Sequence, residues 1–304
     1  MRVGVAGAGA VGAHYGLRLQ QAGADVILLA RGEHGRVMKR SGLRYASEGV
    51  EQYYPVCVVE DAKALAESDV ILVCCKTTQL TEMLSALKAS LDQRCVLVSM
   101  QNGVTAPQLV AQAFPQNPVL AASAFIGARL EQPGWLIHSA AGHLRMGFWQ
   151  GEAQKQSRQL LALWQNAHVD AQLIGDVRAM LWNKMLWNCG FNALTALTRR
   201  YARDIVADAG AREIILMAMQ EALSVAQADG VNIKVSAIEQ HLALTMKGGE
   251  VKTSMWQDLE NGRLTEIDAM NGEVVRLAEK YGVDTPVNSM LTTMLHLAQE
   301  AVAQ

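Results

Sequence analysis

The chain has 304 residues, of which 50% are hydrophobic and 18% charged, with 27 lysines and arginines against 29 acidic residues for a net charge of -2. At roughly 100–200 residues per domain, that length favours two domains, and the apolar content excludes a disordered or collagen-like chain. No basic excess is available to hold a nucleic-acid backbone or an anionic membrane, so neither is expected as a partner.

Arg2–Ala6 reads as a short apolar strand, His14–Ala22 as a helix stopped by Gly23, and Asp25–Ala30 (DVILLA) as a second strand. Asp69–Cys75 (DVILVCC) and Cys95–Met100 (CVLVSM) follow as third and fourth strands, with a helical pattern over Leu80–Leu91 between them. These strands are apolar throughout, as expected where both faces of a parallel sheet are covered. Their alternation with helices predicts a parallel α/β sheet with right-handed crossovers. From Val119 to Phe148, short apolar runs separated by Gln132-Pro133-Gly134 and Ala141-Gly142 predict antiparallel strands completing the sheet. Helical periodicity then runs from about Asp176 almost to the C-terminus, which places the domain boundary near residue 174 and the two domains at 1–173 and 174–304.

Cys57, Cys74, Cys75, Cys95 and Cys189 form no CxxC pair and lie mostly in apolar runs. They read as buried thiols of a reducing compartment, not as a disulfide framework or a metal site. The first eleven residues superficially resemble a signal sequence. Glycines punctuate them, however, and no segment reaches ~18 uninterrupted apolar residues, so a cytoplasmic protein is expected.

Gly7-Ala8-Gly9-Ala10-Val11-Gly12 follows the first strand and opens a helix. In that context the first glycine permits a sharp turn, the second lets backbone approach a pyrophosphate, and the third lets helix pack on strand. Free amides at the helix start favour the anionic phosphates. At the end of the second strand an acidic residue would accept a hydrogen bond from a ribose 2′-hydroxyl; this chain has Arg31, which suits the 2′-phosphate of NADP(H). Lys76 and Asn102 fall at the carboxyl ends of the third and fourth strands, where open α/β sheets bind ligands, although Gln101-Asn102-Gly103 also fits a plain turn.

Met180–Leu197 (MLWNKMLWNCGFNALTAL) is too apolar all round for a surface helix. Lys184, Asn188 and Asn192 nevertheless recur at spacing four and share one face. A buried lysine is costly unless paired, so the stripe implies either a bound polar ligand or a structural network between helices. In Thr253–Asn271 (TSMWQDLENGRLTEIDAMN), Ser254 and Asp258 share a helical face that Asn261-Gly262 ends. Thr265 reads as an N-cap with Asp268 completing an approximate capping box, and Glu266 as a first-turn carboxylate favoured by the helix dipole.

Together these segments resemble the ketopantoate reductases (2-dehydropantoate 2-reductases). The resemblance is carried by GAGAVG with Arg31, Lys76, QNG around Asn102, LWNKMLWNCGFNALTAL, SMWQDLENGRLTEID and YGVDTP near Tyr281–Pro286. It implies a Rossmann-type dinucleotide-binding domain followed by an all-α domain like that of 6-phosphogluconate dehydrogenases. It also implies NADPH-dependent reduction of 2-dehydropantoate to pantoate, a step towards pantothenate and coenzyme A. By resemblance Lys184 is the general acid, Glu266 lies near the cofactor ribose and the catalytic lysine, and Asn102 stands between nicotinamide and substrate. Asn188, Asn192 and Ser254 match substrate-binding positions. Gly7, Ala8, Gly9, Ala10, Val11, Gly12, Arg31 and Lys76 match cofactor-binding ones, as does Ala128 in IGARL less closely.

The chain departs from the family pattern at Thr198-Arg199-Arg200-Tyr201-Ala202-Arg203-Asp204, at Val251 and at Thr105. These departures leave the reaction class intact and bear on which 2-oxo acid is the substrate. The alternatives are a related reductase acting on another 2-oxo acid or an imine, and a non-catalytic NADP(H)-binding redox sensor. The helical domain could also support a homodimer.

Overall fold

The computed structural model describes residues 1–250 and 252–303, which fall into two compact units: residues 1–101 with 105–177, and residues 102–104 with 178 onward. The first unit is Rossmann-like. Its strands are β1 (Arg2–Ala6), β2 (Asp25–Leu29), β3 (Leu43–Ser47), β4 (Val50–Tyr54), β5 (Cys57–Val59), β6 (Val70–Val73), β7 (Val96–Ser99), β8 (Val119–Gln132), β9 (Trp135–Gln150) and β10 (Ala171–Leu173). Its helices are α1 (Ala10–Gln21), α2 (Gly32–Ser41), α3 (Leu80–Lys88), α4 (Ala106–Ala113) and α5 (Gln154–Asn166).

The strands form one sheet in the order β4-β3-β9-β8-β7-β6-β1-β2-β5, with β10 added to β9. From β5 to β8 every neighbouring pair is parallel. Val70, Leu72, Val96 and Val98 enter the core under α1 and α5, beside Ala13, Leu17, Leu160 and Trp164. The alternate residues Ile71, Val73 and Leu97 enter the core under α3 and α4, beside Leu84, Leu87 and Val110. Both faces are therefore dry, which explains the unbroken apolar runs.

Local differences from the sequence reading have identifiable causes. The segment 119–148 is one long hairpin: β8 and β9 pair antiparallel around Pro133-Gly134, and Ala141-Gly142 is an irregularity inside β9, not a turn. Ala141 and Gly142 both have positive φ, the signature of a bulge. β4 and β5 escape the sequence pattern because they are the outermost strands of the sheet, where β4 is largely exposed and carries no apolar alternation. Cys57 is exposed on β5 and Cys74 half-buried, unlike the three buried thiols Cys75, Cys95 and Cys189.

The second unit is helical: α6 (Val177–Thr198), α7 (Ala202–Ala207), α8 (Ala209–Ala228), α9 (Ser236–Lys247), α10 (Ser254–Glu260), α11 (Asn271–Tyr281) and α12 (Pro286–Ala303). Trp182, Met185, Leu186, Cys189 and Phe191 bury α6 on several faces. At Gly190 a β-carbon would stand 3.0 Å from both Ile215 Cγ2 and Met219 Cγ, so glycine sets how closely α8 approaches α6. Trp187 is only half-buried and is anchored by donating from Nε1 to Thr245 Oγ1 (3.0 Å). Among the described residues no helix is long and apolar enough to cross a membrane.

Candidate active site

The glycine loop forms one wall of a cleft of about 250 Å³ in the first unit, lined among others by Gly7, Ala8, Gly9, Arg31, His34 and Glu82. Gly7 has φ +104°, and a β-carbon there would lie 2.6 Å from Cys75 N. A β-carbon on Gly12 would lie 2.3 Å from Gly7 O and 2.9 Å from Val5 Cγ1, so helix and strand meet there as closely as backbone allows. Around Gly9, by contrast, nothing lies within 4 Å of the β-carbon position. Gly9 is also the N-cap of α1, with no side-chain cap and no acidic residue in the first turn.

Gly7, Ala8, Gly9 and Arg31 thus line the cleft. Ala10 and Val11 pack partly on the core, and Gly12 serves the helix–strand contact. Lys76 directly follows the lining residue Cys75 and is half-buried at the end of β6. Ala128 does not line the cleft: it sits within β8, paired with His138 and packed partly on the core.

His34, absent from the residues singled out in the sequence, braces the loop. Gly134 N donates to His34 Nδ1 (2.9 Å), so Nε2 carries the proton and donates to Ala8 O (2.8 Å). Burial lowers the His34 pKa, which keeps this neutral form. Arg31 pairs with Glu82, Nη1 to Oε1, at 2.7 Å.

In the second unit three of the expected residues meet. Lys184 Nζ donates to Asn102 Oδ1 (3.0 Å), and Asn102 Nδ2 donates to Glu266 Oε2 (2.9 Å). The amide fits one way round only, since its oxygen must face the ammonium and its NH₂ the carboxylate. Burial lowers the Lys184 pKa to about 8, with the negative charge of Glu266 opposing the shift. Gln101-Asn102-Gly103 is therefore more than a turn. Gly103 has φ +91°, and a β-carbon there would stand 2.5 Å from Ala269 O, on the short turn that follows Glu266.

Asn188 and Asn192 are both buried along α6. Asn192 Nδ2 donates to Asn188 Oδ1 (3.4 Å) and lies 3.0 Å from Met270 Sδ, while its Oδ1 is buried without a hydrogen-bond partner among the described residues. Thr195, one turn further along, shares a 2.6 Å hydrogen bond with Thr253, which caps α10 by accepting from Trp256 N. Ser254, next in the chain, is exposed at the first turn of that helix. Asp258 faces inward instead and accepts from Arg263 Nε (3.1 Å).

The capping box expected at Thr265 does not form. The turn Ile267–Ala269 begins after Glu266, Thr265 Oγ1 is buried without a partner among the described residues, and Asp268 turns outward to His296 (2.9 Å). Burying Glu266 against Asn102 takes the backbone out of the geometry a threonine cap requires. Of the departures from the family pattern, Arg199 adopts a left-handed conformation after α6, Arg203 pairs with Glu250 and Asp204, and Thr105 starts α4 without a side-chain cap. Val251 lies outside the described residues.

Family models described as ketopantoate reductase PanE/ApbA and as its C-terminal part match residues 3–151 and 176–299. A 2-dehydropantoate 2-reductase of Streptococcus pyogenes is 30% identical over 305 residues, covering 99% of either chain. The crystal structure of a PanE/ApbA family ketopantoate reductase from Ralstonia eutropha JMP134 superposes with a TM-score of 0.92 at 29% identity, covering 100% of both chains. A D-mandelate dehydrogenase solved with NADH and anilino(oxo)acetate shares the fold, with a TM-score of 0.93 at 23% identity over 100% of both chains.

Proposed function

The chain belongs to the ketopantoate reductase family, and from that premise we propose that it reduces 2-dehydropantoate to pantoate with NADPH. The observation that carries the reading is the Lys184–Asn102–Glu266 chain of hydrogen bonds, with Lys184 brought to a pKa of about 8. A group in that range holds its proton at neutral pH and can still release it, as a general acid must.

The first unit fits a dinucleotide. Gly9 leaves its backbone open to a pyrophosphate, the uncapped first turn of α1 offers amides to it, and Arg31 stands where a 2′-phosphate would be read. Bound nicotinamide supplies the hydride.

The protein supplies the proton and the alignment. Lys184 Nζ gives a proton to the carbonyl oxygen of the 2-oxo acid as negative charge develops there. Asn102 holds the ammonium through its Oδ1, and Glu266 steadies the amide that does so. Asn192 Oδ1 offers an acceptor to the substrate's hydroxyl, while Asn188 and Ser254 supply donors for its carboxylate.

The test is NADPH oxidation with 2-dehydropantoate beside a panel of other 2-oxo acids, in wild type and in Lys184→Ala. Turnover with 2-dehydropantoate that falls about 10²–10⁴-fold in the variant, with dinucleotide binding retained, is the expected result. A variant as active as wild type would exclude Lys184 as the acid. One observation favours a second substrate: the segment 198–204 departs from the family pattern, and its Arg203 is committed to Glu250 and Asp204. Activity confined to another 2-oxo acid would keep the mechanism and reassign the substrate. Dinucleotide binding with no turnover of any 2-oxo acid would favour a redox sensor.

A further inference from the structure

We propose that Glu82 sets the cofactor preference of the cleft, opposing the 2′-phosphate that Arg31 attracts and accepting the 2′-hydroxyl of NADH in its place. The inference rests on the reading of this cleft as a nicotinamide-dinucleotide site.

Arg31 and Glu82 lie 51 positions apart, at the start of α2 and in the first turn of α3, and both line the cleft that contains Gly7 and Gly9. Their side chains meet at 2.7 Å yet stay 54% and 70% exposed. An ion pair so open to water adds little to stability, so its consequence lies in what the cleft presents to a ligand. A phosphate dianion that reaches the Arg31 guanidinium must share it with a carboxylate already there, or push that carboxylate away, and it meets like charge in either case. A ribose hydroxyl meets the opposite situation, because a carboxylate at this place is an acceptor for it. In NAD-specific folds of this kind the acceptor stands at the end of the second strand. Here that position holds arginine, and Glu82 brings the carboxylate from α3.

The other acidic residue beside Arg31 does not compete for the role. Glu33 Oε2 accepts from Arg36 Nε (3.0 Å) and Nη2 (2.8 Å), and Glu33 is not among the residues lining the cleft. The rim of the cleft therefore carries one charge of each sign, and both NADPH and NADH find a partner there.

The experiment measures dissociation constants of NADPH and NADH by fluorescence titration, at one fixed ionic strength, for wild type and for Glu82→Gln, Glu82→Ala, Arg31→Ala and Glu33→Gln. No turnover is needed. Both Glu82 variants should raise the preference for NADPH over NADH about tenfold (about 1.4 kcal/mol). Arg31→Ala should lower that preference, and Glu33→Gln should leave it unchanged. Glu82 is exposed, so folding of its variants is checked by an unchanged melting temperature, and either variant alone suffices. A preference within about twofold of wild type in both, with both dinucleotides bound, overturns the role of Glu82 and leaves the dinucleotide reading standing. Failure of wild type to bind either dinucleotide overturns both.

Discussion

Asn102 and Glu266 are 164 positions apart in the chain and share a 2.9 Å hydrogen bond, with Lys184 on the opposite side of the same amide. The one amide thus bonds both the ammonium and the carboxylate. The attraction of Glu266 raises the lysine pKa but does not cancel the effect of burial, and the pKa stays near 8.

The pH dependence follows with a definite sign. Reduction needs Lys184 protonated, so kcat for 2-dehydropantoate should fall as pH rises through about 8, while oxidation of pantoate should rise over the same range. Glu266 raises the lysine pKa, so Glu266→Gln should move this alkaline limb to lower pH. Profiles of kcat against pH for both enzymes check it; a limb left in place would detach Glu266 from the titration.

Stability should show the cost of that arrangement. The folded pKa of Lys184 lies below its ordinary 10.5, so the penalty for burying its charge is full below about pH 8 and shrinks as pH rises towards 10.5. Lys184→Met removes the penalty. The variant should melt above wild type at pH 7, with a smaller gap at pH 10, while turnover is lost.

Two glycines of one loop should respond differently to alanine. Gly12→Ala forces a methyl to 2.3 Å from Gly7 O and should cost about 1–3 kcal/mol in unfolding together with dinucleotide binding. Gly9→Ala meets nothing within 4 Å, so its melting temperature should hold while dinucleotide affinity drops. Thermal melts and fluorescence titration separate the two effects.

Asn271, fully buried, donates to Cys189 O (3.0 Å) and to Asn288 Oδ1 (2.9 Å), tying the segment after Glu266 to α6 one turn past Lys184. Asn271→Ala strips a donor from both and should destabilise the protein by about 1–3 kcal/mol. Because it loosens how Glu266 is held, kcat should fall more than KM rises. A variant with reduced stability and wild-type kcat would limit Asn271 to folding.

The parallel strands, the glycine loop and the lysine helix were legible because local pattern determines each of them. Val70–Val73 is apolar at every position since both its faces are covered, and Lys184, Asn188 and Asn192 share a face by helical period alone. What escaped depends on partners distant in sequence. Nothing within LTEMLSALK marks Glu82 as the partner of Arg31, and nothing in LLARGEH marks His34 as the brace between Ala8 and Gly134. Thr265 misled for the same reason: its local pattern asks for a cap, and the burial of Glu266 against Asn102 overrides it.

The sheet ends in a short strand on either side. β9 is paired along most of its length, with β8 on one side and with β3 and then β10 on the other. The outermost strands in the sheet order are β4, five residues with Glu51 and Gln52 exposed, and β5, three residues; Pro55 lies between them in the chain. Strands this short, with a charged Glu51 on one and Pro55 between the two, are poor templates for strand addition by a neighbour. Excising 43–54 would bare Trp135–His138 of β9 as a new margin open to strand addition.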